Sequence, residues 1–244
     1  MNLLSLDSVS KIVGNKTLFK NISFGIESGQ KVALIGVNGS GKTTLLNVAT
    51  EREKIDGGII SKNKETKTAY LTQIPSYNPE NSILDHIFNS EGEMVSLIKD
   101  YEYFCMNMEN LTESEKIKFE KISEKMTLKN GWEYERRIKS LLVELEINNI
   151  SLKMKNLSGG MLKKVALAQC IIDDANLLIM DEPTNHLDLK TILFLQDYLK
   201  KTDKSLLLVT HDRYFLDEVC NTILEINRNS LTRFEGNYSF YLEK

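Results

Sequence analysis

An α/β fold, with a helical segment inserted into a strand-and-helix core, is what this sequence predicts, and three observations predict it. Apolar runs at 31–35, 177–180 and 206–210 each end in a short polar turn and pass into a helical pattern, the alternation that marks α/β architecture. Between the first run and the second, residues 83–149 change to long, charged helical stretches without a strand signal. The 244 residues suffice for one large domain, or one core with a smaller insertion, and can bury a substantial apolar interior.

Taken in order, alternation at Leu4, Leu6 and Val9 and then at Ile22, Phe24 and Ile26 predicts short strands, and the Ser28-Gly29 turn leads into the buried run Lys31–Ile35, which stops at Gly36. Thr43 to Thr50 has a helical pattern, and Thr66 to Leu71 a strand pattern leading to Gln73. Pro75 and Pro79 then interrupt regular structure. Helices are expected over Ile83–Asp100, Glu113–Lys129 and Trp132–Leu145, with Thr112-x-x-Glu115 as an N-cap, Asn130-Gly131 as a break and Glu115 to Lys125 as a solvated face. From Leu157 the α/β texture returns: a helix at 160–172, a strand at Leu177–Met180, a helix at 189–201, a strand at Leu206–Thr210, a helix at 213–219 and a closing hairpin about Ile223–Phe234. The expected division is a core of residues 1–82 with 157–244 and a helical subdomain of 83–156.

Thirty-one Lys and Arg against 34 Asp and Glu give a net charge of −3, so no global positive excess points to nucleic acid or membrane. Cys105, Cys170 and Cys220 are odd in number, widely spaced and free of any CxxC pair, which argues against a disulfide framework or a zinc site and fits a reducing cytosol. Cys170 and Cys220, among apolar neighbours, are expected as small core residues. The N-terminus lacks the basic and apolar regions of a signal peptide, and apolar stretches such as Leu206-Leu207-Leu208-Val209 fall far short of the ~20 residues a membrane span needs, so a cytoplasmic location is expected. Any transport driven by such a domain would need a membrane part supplied by another chain.

Gly36-Val37-Asn38-Gly39-Ser40-Gly41-Lys42-Thr43 fits GxxxxGK[ST] and sits between a strand and a helix, the context that motif requires. Its glycines let the backbone curl so that successive N–H groups and the helix start point at phosphate oxygens. Gly36, Asn38, Gly39, Ser40, Gly41, Lys42, Thr43 and Thr44 are therefore the expected phosphate-binding set, ATP the expected ligand and Mg²⁺ its companion on the Thr43 hydroxyl. The run Leu177 to Met180 delivers Asp181 and Glu182 to the carboxyl end of a strand, where open parallel sheets bind ligands. Two acids after a strand are most often turn residues. Downstream of a phosphate loop, Asp181 suits Mg²⁺ and Glu182 suits a base that polarises the attacking water. His211 closes a third strand at the same edge, within reach of the γ-phosphate or that water, and Gln73 offers an amide to Mg²⁺ or water. Leu157-Ser158-Gly159-Gly160 opens a helix with Ser158 as N-cap, and an ordinary capped start and an anion-binding one fit it equally.

The phosphate loop, Gln73, Leu157-Ser158-Gly159-Gly160, Asp181-Glu182-Pro183-Thr184, Asn185-His186-Leu187-Asp188 and His211, in that order, resemble the ABC ATPase family over essentially the whole chain. The resemblance implies a P-loop NTPase with a RecA-like core, an N-terminal antiparallel β-subdomain and an inserted helical subdomain. It implies catalysis by Glu182, His211 and Gln73, with Mg²⁺ on Thr43, Gln73 and Asp181. It also implies two such domains, from one chain or a homodimer, meeting head to tail with each ATP between the Lys42 loop of one and Ser158, Gly159, Gly160 and Asp188 of the other.

Asn185-His186-Leu187-Asp188, the stretch His211 to Asp217, Gly131 to Arg137 and the ending Glu235 to Glu243 are similar to the soluble F subfamily, whose members act on ribosomes. Ribosome and tRNA are therefore the partners this resemblance implies, and such chains usually join two ATPase domains by a charged helical linker after a Tyr-Leu-Glu ending like 241–243. Two positions depart from the family pattern: Met161 replaces a glutamine, and Val13 stands where an aromatic ring usually stacks on adenine. Phe19 is the candidate substitute for that ring; otherwise base recognition is loose and admits GTP. Rival readings are the energising subunit of a membrane transporter and a nucleotide-gated interaction module with negligible turnover.

Overall fold

The computed structural model describes residues 1–88 and 93–244, in two compact units: residues 1–74 with 175–244, and residues 75–174. Along the chain run β1 (Asn2–Val13), β2 (Lys16–Glu27), β3 (Lys31–Gly36), α1 (Lys42–Ala49), β4 (Gly57–Lys62) and β5 (Thr68–Leu71). There follow α2 (Ile83–Ile87), α3 (Glu93–Met106), α4 (Glu113–Leu128), α5 (Gly131–Glu144) and α6 (Gly159–Ile172). The chain ends with β6 (Leu177–Asp181), α7 (Leu189–Lys201), β7 (Ser205–Val209), α8 (Arg213–Val219), β8 (Thr222–Asn227), β9 (Ser230–Glu235) and α9 (Tyr238–Leu242).

The first unit holds a three-stranded antiparallel sheet, β2-β1-β4, and a six-stranded sheet, β5-β6-β7-β3-β8-β9, parallel except where β9 returns along β8. This is the division the resemblance implied. Leu4 and Leu6 of β1 and Ile22, Phe24 and Ile26 of β2 alternate inward with a period of two. A register shift between Leu6 and Val9, with Ser8 at φ +51°, turns Val9 to the same side, and all join Leu34, Leu45, Leu46, Leu207 and Leu224 in one core cluster. Every residue of β6 and β7 is buried, because a parallel strand between neighbours is covered on both faces. β4 was not anticipated. Ile59 and Ile60 stand side by side, so the strand shows no alternation, and Gly58 (φ +90°) crosses β1 so closely that a Cβ there would lie 2.5 Å from the Ser8 carbonyl oxygen.

Lys31 opens β3 as a buried cation. Its Nζ donates to the carbonyl oxygens of Thr202, at 2.7 Å, and Lys204, where α7 has just ended, and burial holds the amine below the usual lysine pKa. Lys31→Met is expected to leave both carbonyls without that donor and to lower the unfolding free energy by about 2–3 kcal/mol. A urea midpoint equal to that of the native chain would show that water replaces the ammonium there.

The helical unit is held by its caps and by one aromatic cluster. Ser82 and Asp85 form a capping box at α2, and Thr112 and Glu115 form the expected one at α4. Tyr101 of α3 stacks on Phe119 of α4 (centroids 5.5 Å apart) and meets Trp132 of α5 edge-on (5.0 Å). α4 buries Met126 and exposes its glutamates and lysines, as the charge run suggested. The helix expected over Ile83–Asp100 is α2 and the first part of α3, and its residues 89–92 lie outside the described residues.

The boundary of the unit differs from the expected one: it starts at Pro75, ahead of Ile83, and α6 belongs to it and not to the core. The contacts of α6 and of the stretch before α2 decide this. α6 lies on α2 and α5, with Tyr134 donating to the Ile172 carbonyl at 2.6 Å and Lys164 paired to Glu146 at 3.0 Å. The stretch before α2 is bound to the stretch before α6 by Ile83 N–H to Leu152 O (2.9 Å), Leu84 N–H to Ile150 O (2.8 Å) and Met154 N–H to Asn81 O (2.9 Å). Cys170 and Cys220 are buried, as expected for core residues. Among the described residues no helix is long and apolar enough to cross a membrane.

Candidate functional site

β5, β6, β7 and β3 lie side by side and parallel, so the residues that follow them emerge at one edge of the sheet. A cleft of ≈ 490 Å³ opens there, and Lys42, Thr43, Gln73, Asp181, Glu182 and His211 all line it. Residues that follow three widely separated strands, plus the loop, thus share one hollow.

The loop after β3 takes its shape from three glycines. Gly36 pairs with Ile226 of β8, and a Cβ on it would lie 2.7 Å from the Ile226 carbonyl oxygen, so hydrogen alone fits. Ser40 N–H closes a turn onto the Val37 carbonyl at 3.1 Å, with Gly39 at φ +74° in the left-handed corner. Gly41 (φ +100°) caps α1, so the loop ends on a helix start whose first amides are free to face an anion. Ser40 Oγ is buried and has no hydrogen-bond partner among the described residues, which suits a ligand oxygen brought into the loop. Asn38, Gly39, Gly41 and Thr44 line the cleft; Gly36 and Ser40 shape it from behind.

Lys42 Nζ rests on the Gly36 and Val37 carbonyls at 2.9 and 3.3 Å. Partial burial lowers its pKa, and the carboxylates of Glu182 and Asp181 oppose the shift. Thr43 Oγ1 donates to Asp181 Oδ2 at 2.7 Å, so a hydroxyl and a carboxylate, 1 % exposed as a residue, already converge. Glu182 takes a left-handed φ of +48°, which a non-glycine residue adopts only where its surroundings impose it. Its N–H donates to Val209 O (2.8 Å), and its Oε2 accepts from His211 N–H (3.4 Å). Its Oε1 faces His211 Nε2 at 3.5 Å. Burial pushes the Glu182 carboxyl above the usual carboxylate pKa, and His211 opposes this.

The other expected residues lie elsewhere. Ser158 caps α6, accepting from Met161 N–H at 3.3 Å; Gly159 is exposed, with no atom among the described residues within 4 Å of where a Cβ would sit. Gly160 continues the first turn. Asp188 caps α7, its carboxylate accepting from Thr191 N–H (2.9 Å) and Thr191 Oγ1 (3.0 Å). Phe19 is wholly buried in the core, so it does not take the place of an aromatic ring that stacks on a base; Val13 is half exposed.

Sequence reasoning missed Leu18, Asn185 and Val209 in the lining. It also missed a second tie between α1 and the sheet. Asn47, one helical turn after Thr43, accepts at Oδ1 from the Tyr70 hydroxyl (3.1 Å), and Arg52 covers the Tyr70 ring at 4.8 Å. The i, i+4 spacing of Thr43 and Asn47 is the one signal that would have found it.

A family profile described as "ABC transporter" matches residues 19–185. The "Uncharacterized ABC transporter ATP-binding protein YfmR" of Bacillus subtilis is 39% identical over 100% of this chain and 39% of its own length. The "ATP-binding protein Uup" of Escherichia coli is 32% identical over 99% of this chain and 38% of its own. The "Energy-dependent translational throttle protein EttA" of Escherichia coli is 32% identical over 98% and 44%. The chain thus spans about two fifths of the length of these curated relatives. A solved "ATP binding subunit of ABC transporter" superposes with a TM-score of 0.72 at 22% identity, covering 96% of this chain and 90% of that one. A dimeric ATP-binding cassette in a post-hydrolysis state, bound to ADP and Pi, superposes with a TM-score of 0.67 at 20% identity over 96% and 98%. With the parallel sheet, the glycine-shaped loop and the paired acids in place, the match makes the conclusion plain: the chain belongs to the ABC transporter family, as one of its ATPase domains.

Proposed function

We propose that this domain binds ATP on the loop 36–44 and hydrolyses it with Glu182 as general base, working opposite a second such domain in a soluble ABC-F type ATPase that acts on the ribosome. The single observation that carries the chemistry is the convergence of Lys42, the Thr43–Asp181 pair and Glu182 on one cleft. Loop amides and Lys42 hold the β- and γ-phosphates, and Glu182 takes a proton from the water that attacks the γ-phosphorus in line, so that the bond from that phosphorus to the β–γ bridging oxygen breaks and ADP and phosphate leave. His211, beside Glu182, orients that water, and the Gln73 amide completes the polar rim. The oxygen donors Thr43, Asp181 and Gln73 fit a hard divalent cation, and Mg²⁺ held there supplies neutralisation of the charge on the phosphate oxygens.

Exposed Ser158 and Gly159, at a helix start with unobstructed amides, support a role toward the phosphates of a partner domain, and Gly160 and Asp188 are assigned to the same role. The dimeric state named for one solved neighbour agrees with such pairing. The ribosomal part rests on the translational role printed in the name of EttA and on the stretches similar to the F subfamily. Sedimentation through a sucrose cushion tests it: Mg–ATP is expected to bring the protein down with ribosomes when hydrolysis is blocked. Recovery with membranes instead would assign the domain to a transporter, as the printed name of YfmR suggests.

A further inference from the structure

Two buried hydroxyls join the turns that leave β6 and β7. Thr184, two residues after Glu182, and Thr210, directly after β7, are 8% and 5% exposed, and their Oγ1 atoms lie 3.2 Å apart in one hydrogen bond. Thr210 Oγ1 also accepts from Asp212 N–H at 3.2 Å, and Asp212 in turn caps α8 by accepting from Phe215 N–H at 3.0 Å. Both threonines stand beyond Asp181 and Val209, the last residues that β6 and β7 pair with each other, so the ladder no longer sets the spacing of the two turns there. The hydroxyl pair spans them instead.

Glu182 depends on both turns. Its N–H donates to Val209 O and its Oε2 accepts from His211 N–H, so Thr210 is the residue between the two that bind it. The Thr210 hydroxyl acts on the same carboxylate as a donor, opposing the rise in its pKa. A hydroxyl has one proton and two lone pairs. With its proton given to Glu182 and one lone pair to Asp212 N–H, Thr210 keeps one lone pair, which makes Thr184 the donor within the pair. The left-handed φ of Glu182 is a conformation that such neighbours have to impose. Resting on the hydrolysis reading above, we propose that Thr184 and Thr210 are positioning residues of the reaction: their hydroxyl pair sets the Glu182 carboxylate against His211 and so fixes where the attacking water is held. Neither threonine is among the described residues that line the cleft, so their effect falls on turnover and not on the hold of the loop 36–44 on ATP.

Steady-state phosphate release and melting temperature test this on the native chain, Thr210→Val, Thr210→Ser, Thr184→Val and the double variant Thr184→Val/Thr210→Val. Valine keeps the branched shape and removes the hydroxyl. Thr210→Val is expected to lower kcat by about ten- to a hundredfold, the loss that a small misplacement brings, with KM for Mg–ATP within about twofold of native. Thr210→Ser, which keeps the hydroxyl, restores kcat to within about threefold of native. Thr184→Val lowers kcat in the same way, and the double variant is no slower than Thr210→Val, because the two hydroxyls act as one unit. It also melts above Thr210→Val, since no threonine hydroxyl is left there without its partner. Native turnover in the double variant would overturn the proposal and reduce the pair to packing. A kcat of Thr210→Val within about twofold of native would overturn it too, as would Thr210→Ser no faster than Thr210→Val. A native chain that binds Mg–ATP and releases no phosphate would instead overturn the hydrolysis reading on which the proposal rests.

Discussion

Glu182→Gln is expected to lower ATP turnover by about 10²–10⁴-fold, the range a general base contributes, while Mg–ATP binding stays within a few fold of native. The amide keeps the shape of the carboxylate and retains an acceptor for His211 N–H, so the left-handed backbone at this position has the same support. What it loses is basicity. In the native chain burial raises the Glu182 pKa above the usual carboxylate range, and the base works in its deprotonated form. Turnover is therefore full above that raised pKa and lost as pH falls through it, and the acid limb of the profile disappears in the variant. Phosphate release measured across pH for both proteins reads this directly. Light scattering of the variant with and without Mg–ATP shows whether blocked hydrolysis accumulates a dimer. Native turnover in Glu182→Gln would remove Glu182 from the role given to it.

Phe19→Ala is expected to cost about 3–5 kcal/mol of stability, as for other fully buried phenylalanines, and to lower the melting temperature by roughly 10 °C in a chain of this length. Phe19 has no exposed surface, joins the core shared by both sheets, and its ring lies 3.4 Å from where a Cβ on Gly41 would stand. Its removal opens a cavity beneath the phosphate loop, so nucleotide affinity falls for every base alike. A loss below about 1 kcal/mol, together with a changed ratio of ATP to GTP binding, would return Phe19 to base recognition.

The parallel strands were legible because β3, β6 and β7 are short, continuous apolar runs that can be satisfied only by burial on both faces. Their ends were legible because Gly36, Asp181, Glu182 and His211 break those runs abruptly with residues that have chemistry. α7 and α8 have the expected bounds, fixed by Asp188 and Asp212 as caps. β4 was not legible, since Gly58 and two adjacent isoleucines look like a loop until β1 is there to pair with them. The attachment of α6 was not legible either: its apolar face says that it packs, and only the fold says against what. In the site, Leu18 carries no motif, and its approach to the loop depends on a hairpin whose reach is a tertiary property. The φ of Glu182 is likewise imposed by the β6–β7 edge and has no sign in the sequence.

The strand order has a consequence for how the domain is made. β3, which ends at the phosphate loop, is flanked by β7 and β8, with Lys31 set against Leu206 and Val32 against Thr222. During synthesis from the N-terminus, β3 and its loop leave the ribosome with both edges unpaired and wait until β7 and β8 have followed. Residues 75–174 close on themselves and need no such wait. The helical unit is therefore a local folding problem, whereas the cleft at the end of β3 is assembled only after β7 and β8 are made, so a chain stalled before them presents an open sheet edge and no complete cleft.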